Sequence, residues 1–270
     1  MFAIIDAGGT TFKCAVANEV RTILCRKRIP TLDPGAVIAN CVDFFRTAER
    51  DLNQEIIGMG LACFGPLDVD ETSPTYGAIL NTPKPGWTDV NLKNAFEEAL
   101  GVPVCIDTDV NAALLAEAQL GAASGARRAA YVTVGTGIGV SFIQDGVLIA
   151  KPYHSEFGHI FVERHPNDTY PGACKFHVAC LEGLASAKSF EARWGPAEDV
   201  AKSHEAWSIE ADYLAQLCSA ISLLLRPEKV VLGGGLLQAD GLIELVRDQF
   251  SKKMNGYLGH SEADIARLIV

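Results

Sequence analysis

The chain has 270 residues, and 33 Asp plus Glu against 23 Lys plus Arg leave a formal charge of -10, a balance that argues against a nucleic-acid backbone as main partner. Its length suits one large or two modest domains with real cores, while 49% hydrophobic and 21% charged residues exclude disorder and fibrous architecture. No apolar run reaches the roughly 18–20 residues of a bilayer span, and Met1-Phe2-Ala3-Ile4-Ile5-Asp6 lacks a signal-peptide pattern, so no membrane contact and a cytoplasmic address are expected.

Phe2-Ala3-Ile4-Ile5-Asp6 reads as a strand, Ala7-Gly8-Gly9-Thr10-Thr11 as a glycine turn, and Phe12-Lys13-Cys14-Ala15-Val16-Ala17 as a second strand. Thr22-Ile23-Leu24-Cys25 continues the meander. From Gly35 to Leu52 the apolar residues Val37, Ile38, Cys41, Phe44, Phe45 and Ala48 recur at helical spacing. A strand from Ile56 to Ala62, a Gly65-Pro66 turn and the loop Asn81-Thr82-Pro83-Lys84-Pro85-Gly86-Trp87 follow. Asn91 to Leu100 reads as a helix, Val102 to Ile106 as a strand and Asn111 to Leu120 as an alanine-rich helix.

The same order then restarts. Ala129 to Val134 is a strand, Gly135-Thr136-Gly137-Ile138-Gly139 a glycine turn, Val140 to Ile143 a strand, and Asp145-Gly146 a hairpin pair leading to Val147-Leu148-Ile149. Two copies of strand, Gly-Thr turn and strand predict two similar domains, 1–121 and 122–270, facing each other across a cleft, with the polar, Gly-rich stretch Gly121 to Arg128 between them.

Glycine turns leave backbone N–H groups exposed, which suits phosphate oxygens, although either turn also fits a plain hairpin. Asp6 could hold Mg²⁺ or cap the turn. The run Gly233-Gly234-Gly235 allows a flat ligand against the backbone or tight helix–strand packing. In Cys105-Ile106-Asp107-Thr108-Asp109-Val110-Asn111, Asp109 is a candidate general base or a helix cap. His159 with Cys174, His177 and Cys180 supplies two imidazoles and two thiols, the set of a closed tetrahedral zinc site, so a structural metal is expected to hold the irregular loop around Pro166, Asn167, Asp168 and Pro171. Cys14, Cys25, Cys41, Cys63, Cys105 and Cys218 read as reduced packing thiols.

Taken together, Asp6 to Thr10, Asp107 to Ala113, Gly135 to Gly139, Glu156-Phe157-Gly158-His159, Cys180-Leu181-Glu182-Gly183 and Gly233 to Gly235 resemble the ROK family of sugar kinases, in order and over essentially the whole chain. Asn81 to Trp87 and His154 to His159 look like its bacterial fructokinase branch. The resemblance implies an α/β fold of two actin-like (ribonuclease H-like) domains, with mixed sheets flanked by helices around a central cleft. It implies ATP-dependent phosphorylation of a hexose, foremost fructose to fructose 6-phosphate, with Asp109 as general base. Glu156, His159 and Glu182 would bind the sugar. Gly8, Gly9, Thr10, Thr11, Lys13, Gly135, Thr136, Gly137, Gly233 and Gly234 would bind the nucleotide, and Asp6 would hold Mg²⁺. His159, Cys174, His177 and Cys180 would hold a structural Zn²⁺, and relatives of this kind are commonly homodimers.

Two departures stand out. Thr108 occupies a position where the family often has Asn. Past a strand expected at Ile265 to Val270, family members continue into a turn and a final helix, an element this chain is expected to lack. The alternatives are a glucose, mannose or N-acylated amino sugar kinase, a family-shaped protein that binds sugar without turnover, and a sugar-responsive repressor; Asp6 lies too close to Met1 for a preceding helix-turn-helix.

Overall fold

A computed structural model describes residues 1–82 and 84–270; Pro83, within the loop singled out above, lies outside the described residues. The chain forms two compact units, the first comprising Met1–Ala112 with Lys151–His154, the second Ala113–Ala150 with Ser155–Val270.

The first unit is a five-stranded mixed sheet. Its strands are β1 (Phe2–Ala7), β2 (Thr11–Ala17), β3 (Ile23–Pro30), β4 (Gly58–Cys63) and β5 (Val104–Thr108), in the order β3-β2-β1-β4-β5. β1, β2 and β3 form an antiparallel meander, whereas β4 and β5 run parallel to β1. Alternation in β1 turns Ala3, Ile5 and Ala7 into the core. Helix α1 (Pro34–Leu52) starts where Asp33 accepts the Ala36 N–H and Pro34 presets φ, and it buries Val37, Cys41, Phe45 and Ala48 along one face. Helix α2 (Leu92–Leu100) is capped by Asn91 and closed by Gly101 in the left-handed region.

The second unit repeats the pattern. Its strands β6 (Arg128–Val134), β7 (Ile138–Gln144), β8 (Val147–Leu148) and β9 (Lys229–Gly233) lie in the order β8-β7-β6-β9, with β6 and β7 an antiparallel hairpin and β9 parallel to β6. β1 and β2 with parallel β4 are thus echoed by β6 and β7 with parallel β9, as the repeated glycine turns predicted. α3 (Asp109–Leu120) leads from the first unit into the second. α4 (Leu181–Ala185), α5 (Ala187–Trp194), α6 (Glu205–Leu225), α7 (Leu242–Met254) and α8 (Glu262–Leu268) complete it. α6 is the one described helix long and apolar enough to cross a membrane, yet more than half of it is buried, with Tyr213, Leu214 and Leu217 in the core.

Three expectations need correction. Residues Ile265 to Leu268 are helical: Ser261 and Asp264 form a reciprocal capping box that starts α8, and only Ile269 and Val270 pair alongside β9. Cys105 is exposed rather than packed, because it falls on the outward side of β5. The loop around Asp168 has a core anchor of its own. Asp168 is buried, and its carboxylate accepts from Arg193 Nη1 at 2.7 Å, Tyr213 OH at 2.7 Å and the Tyr170 N–H at 2.9 Å.

Candidate active site

In the first unit the register pairs Asp6 with Ala62 and Ala62 with Asp107, so Asp6, Asp107 and the adjoining Asp109 gather at the carboxyl edge of three parallel strands, where ligands of such sheets bind. Asp109 opens α3 without capping it. The Thr108 hydroxyl accepts the Asn111 N–H at 3.1 Å, and Asn111 Nδ2 donates to Asp107 at 2.6 Å. Asp109 Oδ1 accepts the Val110 N–H at 2.9 Å. Burial is the main cause that raises the Asp109 carboxyl from 3.8 to about 6; the Val110 hydrogen bond opposes it and the charge of Asp6 adds to it. Such a group is mostly ionised at pH 7 and takes a proton more readily than an ordinary aspartate.

Lys13 Nζ pairs with Asp6 at 2.7 Å, so two expected site residues meet beside the first glycine turn. Gly9 and Thr10 are exposed at its tip, and the space beside Gly9 is open. Lys151 lies 3.3 Å from Asp107, and His154 Nε2 accepts the Leu67 N–H at 3.3 Å, which docks segment Lys151–His154 on this unit.

In the second unit, the 3₁₀ turn Phe157–His159 packs on β7 so closely that a Cβ on Gly158 would meet the Ile138 carbonyl at 1.9 Å; only glycine fits between Phe157 and His159. His159 Nε2 lies 3.8 Å from Glu156 and 3.9 Å from Glu182, so the three residues expected at the sugar sit together. Glu182, on α4, also accepts the Ile138 N–H at 3.0 Å, tying it to the second glycine turn. Thr136 is exposed at the tip of that turn. Gly234 has φ +99°, and a Cβ there would strike the Val134 carbonyl at 2.4 Å, so the third glycine run lies against the end of β6 where that turn begins.

The other nitrogen of His159, Nδ1, faces Cys180 Sγ at 3.4 Å and Cys174 Sγ at 3.7 Å, while Cys174 Sγ lies 3.9 Å from His177 Nδ1. All four donor atoms fall within 4.8 Å of one another. A tetrahedron with Zn–S near 2.3 Å and Zn–N near 2.0 Å has edges of roughly 3.3–3.8 Å; the His159–Cys180 and His159–Cys174 separations match it, the wider pairs need to draw in by up to about 1 Å, and the donor chemistry fits Zn²⁺. Val178, in the knuckle between Cys174 and Cys180, has φ +55°. A β-branched residue resists that conformation, and a bound ion would help hold it.

Sequence reasoning missed Thr108 as the cap, Thr31 and Lys84 at the first glycine turn, and the Asp168–Arg193 pair. All but Thr108 act on residues at least 21 positions away in the chain.

The sequence model of the ROK family matches residues 2–268. The chain is 39% identical to the fructokinase of Zymomonas mobilis, with 100% of this chain and 90% of that protein aligned. It is 39% identical to the fructokinase of Streptococcus mutans, over 96% and 87% respectively. Among solved structures it resembles the ROK hexokinase from Thermus thermophilus, with a TM-score of 0.74, 28% identity, and 94% of this chain and 89% of that one covered.

Proposed function

The chain belongs to the ROK family, and from that premise we propose that it transfers the γ-phosphoryl group of ATP to a hexose, with fructose as substrate and fructose 6-phosphate as product. The observation that carries the reaction class is Asp109, a half-buried carboxyl with a pKa raised to about 6 at the edge where Asp6 and the first glycine turn also lie. Near 40% identity to two fructokinases over nearly the whole chain supports fructose as the sugar.

Asp109 accepts the proton of the sugar hydroxyl as its oxygen attacks the γ-phosphorus; the new O–P bond forms while the bond to the β-phosphate oxygen breaks, and ADP leaves. Glu156, His159 and Glu182 hold the sugar hydroxyls. The turns carrying Gly8, Gly9, Thr10 and Thr11 and carrying Gly135, Thr136 and Gly137 serve the phosphates together with the side chain of Lys13, the first through the open N–H groups of Gly9 and Thr10, while the Gly8 and Gly135 N–H groups brace their turns on the Thr11 and Gly137 carbonyls; Gly233 and Gly234 lie against the nucleoside. Asp6 holds Mg²⁺, which when bound neutralises phosphate charge. His159, Cys174, His177 and Cys180 hold a structural Zn²⁺, which fixes the His159 tautomer and ring orientation when bound. A homodimer and a cytoplasmic address belong to the same reading.

The test is ADP release from ATP and Mg²⁺ with fructose, glucose, mannose and an N-acylated amino sugar in turn. Highest kcat/KM with fructose is expected. A preference for another hexose overturns the substrate, and no turnover with any of them overturns the kinase reading.

A further inference from the structure

The first glycine turn shows how its phosphate-facing amides are aimed. Among the described residues, the N–H groups of Gly9 and Thr10 donate to no protein oxygen, whereas the three carbonyls along the turn are all engaged. Gly8 O accepts from the Thr31 hydroxyl at 2.8 Å, Gly9 O from Lys84 Nζ at 2.6 Å, and Thr10 O from the Thr31 N–H at 2.9 Å. These residues are joined by trans peptides, and in a planar trans peptide the C=O and the N–H of the next residue point in opposite directions. Holding Gly8 O and Gly9 O from behind therefore turns the N–H groups of Gly9 and Thr10 outward.

Both holders are themselves fixed. Thr31 is buried at the end of β3. The Lys84 loop is pinned by Trp87, which is fully buried, packs against Phe12 and Phe64 with ring centroids 5.4 and 5.6 Å apart, and donates from Nε1 to the Leu32 carbonyl at 2.9 Å. Among the described residues no carboxylate lies within ion-pair distance of Lys84, in contrast to Lys13, which is held by Asp6. An ammonium on Gly9 O also polarises the peptide and strengthens the Thr10 N–H as a donor.

We propose that Thr31 and Lys84 are positioning residues that preorganise the Gly9 and Thr10 amides to receive ATP phosphate oxygens. This rests on reading the turn as the phosphate loop of a kinase.

The experiment compares Thr31→Val, Thr31→Ser, Lys84→Met and Lys84→Arg in the full chain, with KM for ATP and for fructose, ATP affinity by titration calorimetry, and Tm. Loss of a neutral hydrogen bond should weaken ATP about 5-fold in T31V, and loss of a charged one roughly 10-fold or more in K84M. Fructose KM should stay unchanged and Tm should fall only by the few degrees that one lost hydrogen bond costs, with T31S and K84R restoring ATP binding. Unchanged ATP affinity in T31V and K84M overturns the proposal, as does an equal loss for ATP and fructose, or K84M acting alone without rescue by K84R. If the wild-type chain turns over no hexose, the kinase reading fails, and the calorimetric ATP affinities of the four variants still decide the role of the two residues.

Discussion

Replacing Asp109 by Asn removes an ionisable group while leaving an oxygen able to accept the Val110 N–H. The native carboxyl titrates near 6 instead of 3.8, chiefly because it is buried. A carboxyl whose pKa rises on folding favours the fold when protonated, so its penalty is absent below the unfolded value, grows as pH rises from about 4 to 6, and is complete above that. At about 1.36 kcal/mol per pH unit, the shift from 3.8 to about 6 gives at most about 3 kcal/mol at pH 8, where all of it is expressed, and about 1.6 kcal/mol at pH 5, where only the stretch from 3.8 to 5 counts. D109N should therefore be more stable than the wild type, by a margin that widens by roughly 1.4 kcal/mol from pH 5 to pH 8. Urea unfolding at both pH values reads this as a difference in midpoint at constant slope. A margin that is the same at both pH values, or a wild type more stable at pH 8, refutes the claim that Asp109 is held ionised at a cost to the fold.

Purified protein should carry about one zinc per chain, and Cys174→Ala should lose it; full zinc content in that variant, by elemental analysis, contradicts the four-residue ligand set. Arg193→Met leaves the buried Asp168 carboxylate without its cation, both side chains being under a tenth exposed. It should cost roughly 3–5 kcal/mol by urea unfolding, and a loss under about 1 kcal/mol would show that the pair does not anchor the loop. Glu210 is fully buried with no hydrogen-bond partner for either oxygen among the described residues, and burial holds its carboxyl well above the usual range, with nearby Arg193 pulling down and Asp168 pushing up. Its protonated form belongs to the fold, so its destabilising effect sets in as pH rises above the unfolded value of 4.5. Glu210→Gln should gain stability over the wild type more at pH 8 than at pH 5, and the opposite trend in Tm would contradict a neutral Glu210.

Features set by local pattern were legible in the sequence. Alternation in β1, the stripe from Val37 to Ala48 and the two Gly-Thr turns each announce themselves within a few residues, and Cys174, His177 and Cys180 lie close enough to read as a metal knuckle. α8 was legible in principle: Ser261 and Asp264 have the capping-box spacing, but the apolar run Ile265 to Val270 suggested a strand. Long-range polar contacts left no such trace. Nothing near Lys84 marks it as a donor to Gly9, 75 residues away, and nothing near Asp168 marks Arg193, 25 residues away, as its buried partner. The division of labour between Thr108 and Asp109 was equally hidden, since either side chain can cap a helix and the choice is made by the backbone of α3.

The most direct measurement is fructose-dependent ADP release by the wild type and D109N side by side, from pH 5 to pH 8. The wild type should turn over, with kcat/KM falling as pH drops below about 6, the value of the Asp109 carboxyl. D109N should lose roughly 10²–10⁴-fold in kcat. Near-normal kcat in D109N, or a wild-type profile flat through pH 6, would contradict Asp109 as the base.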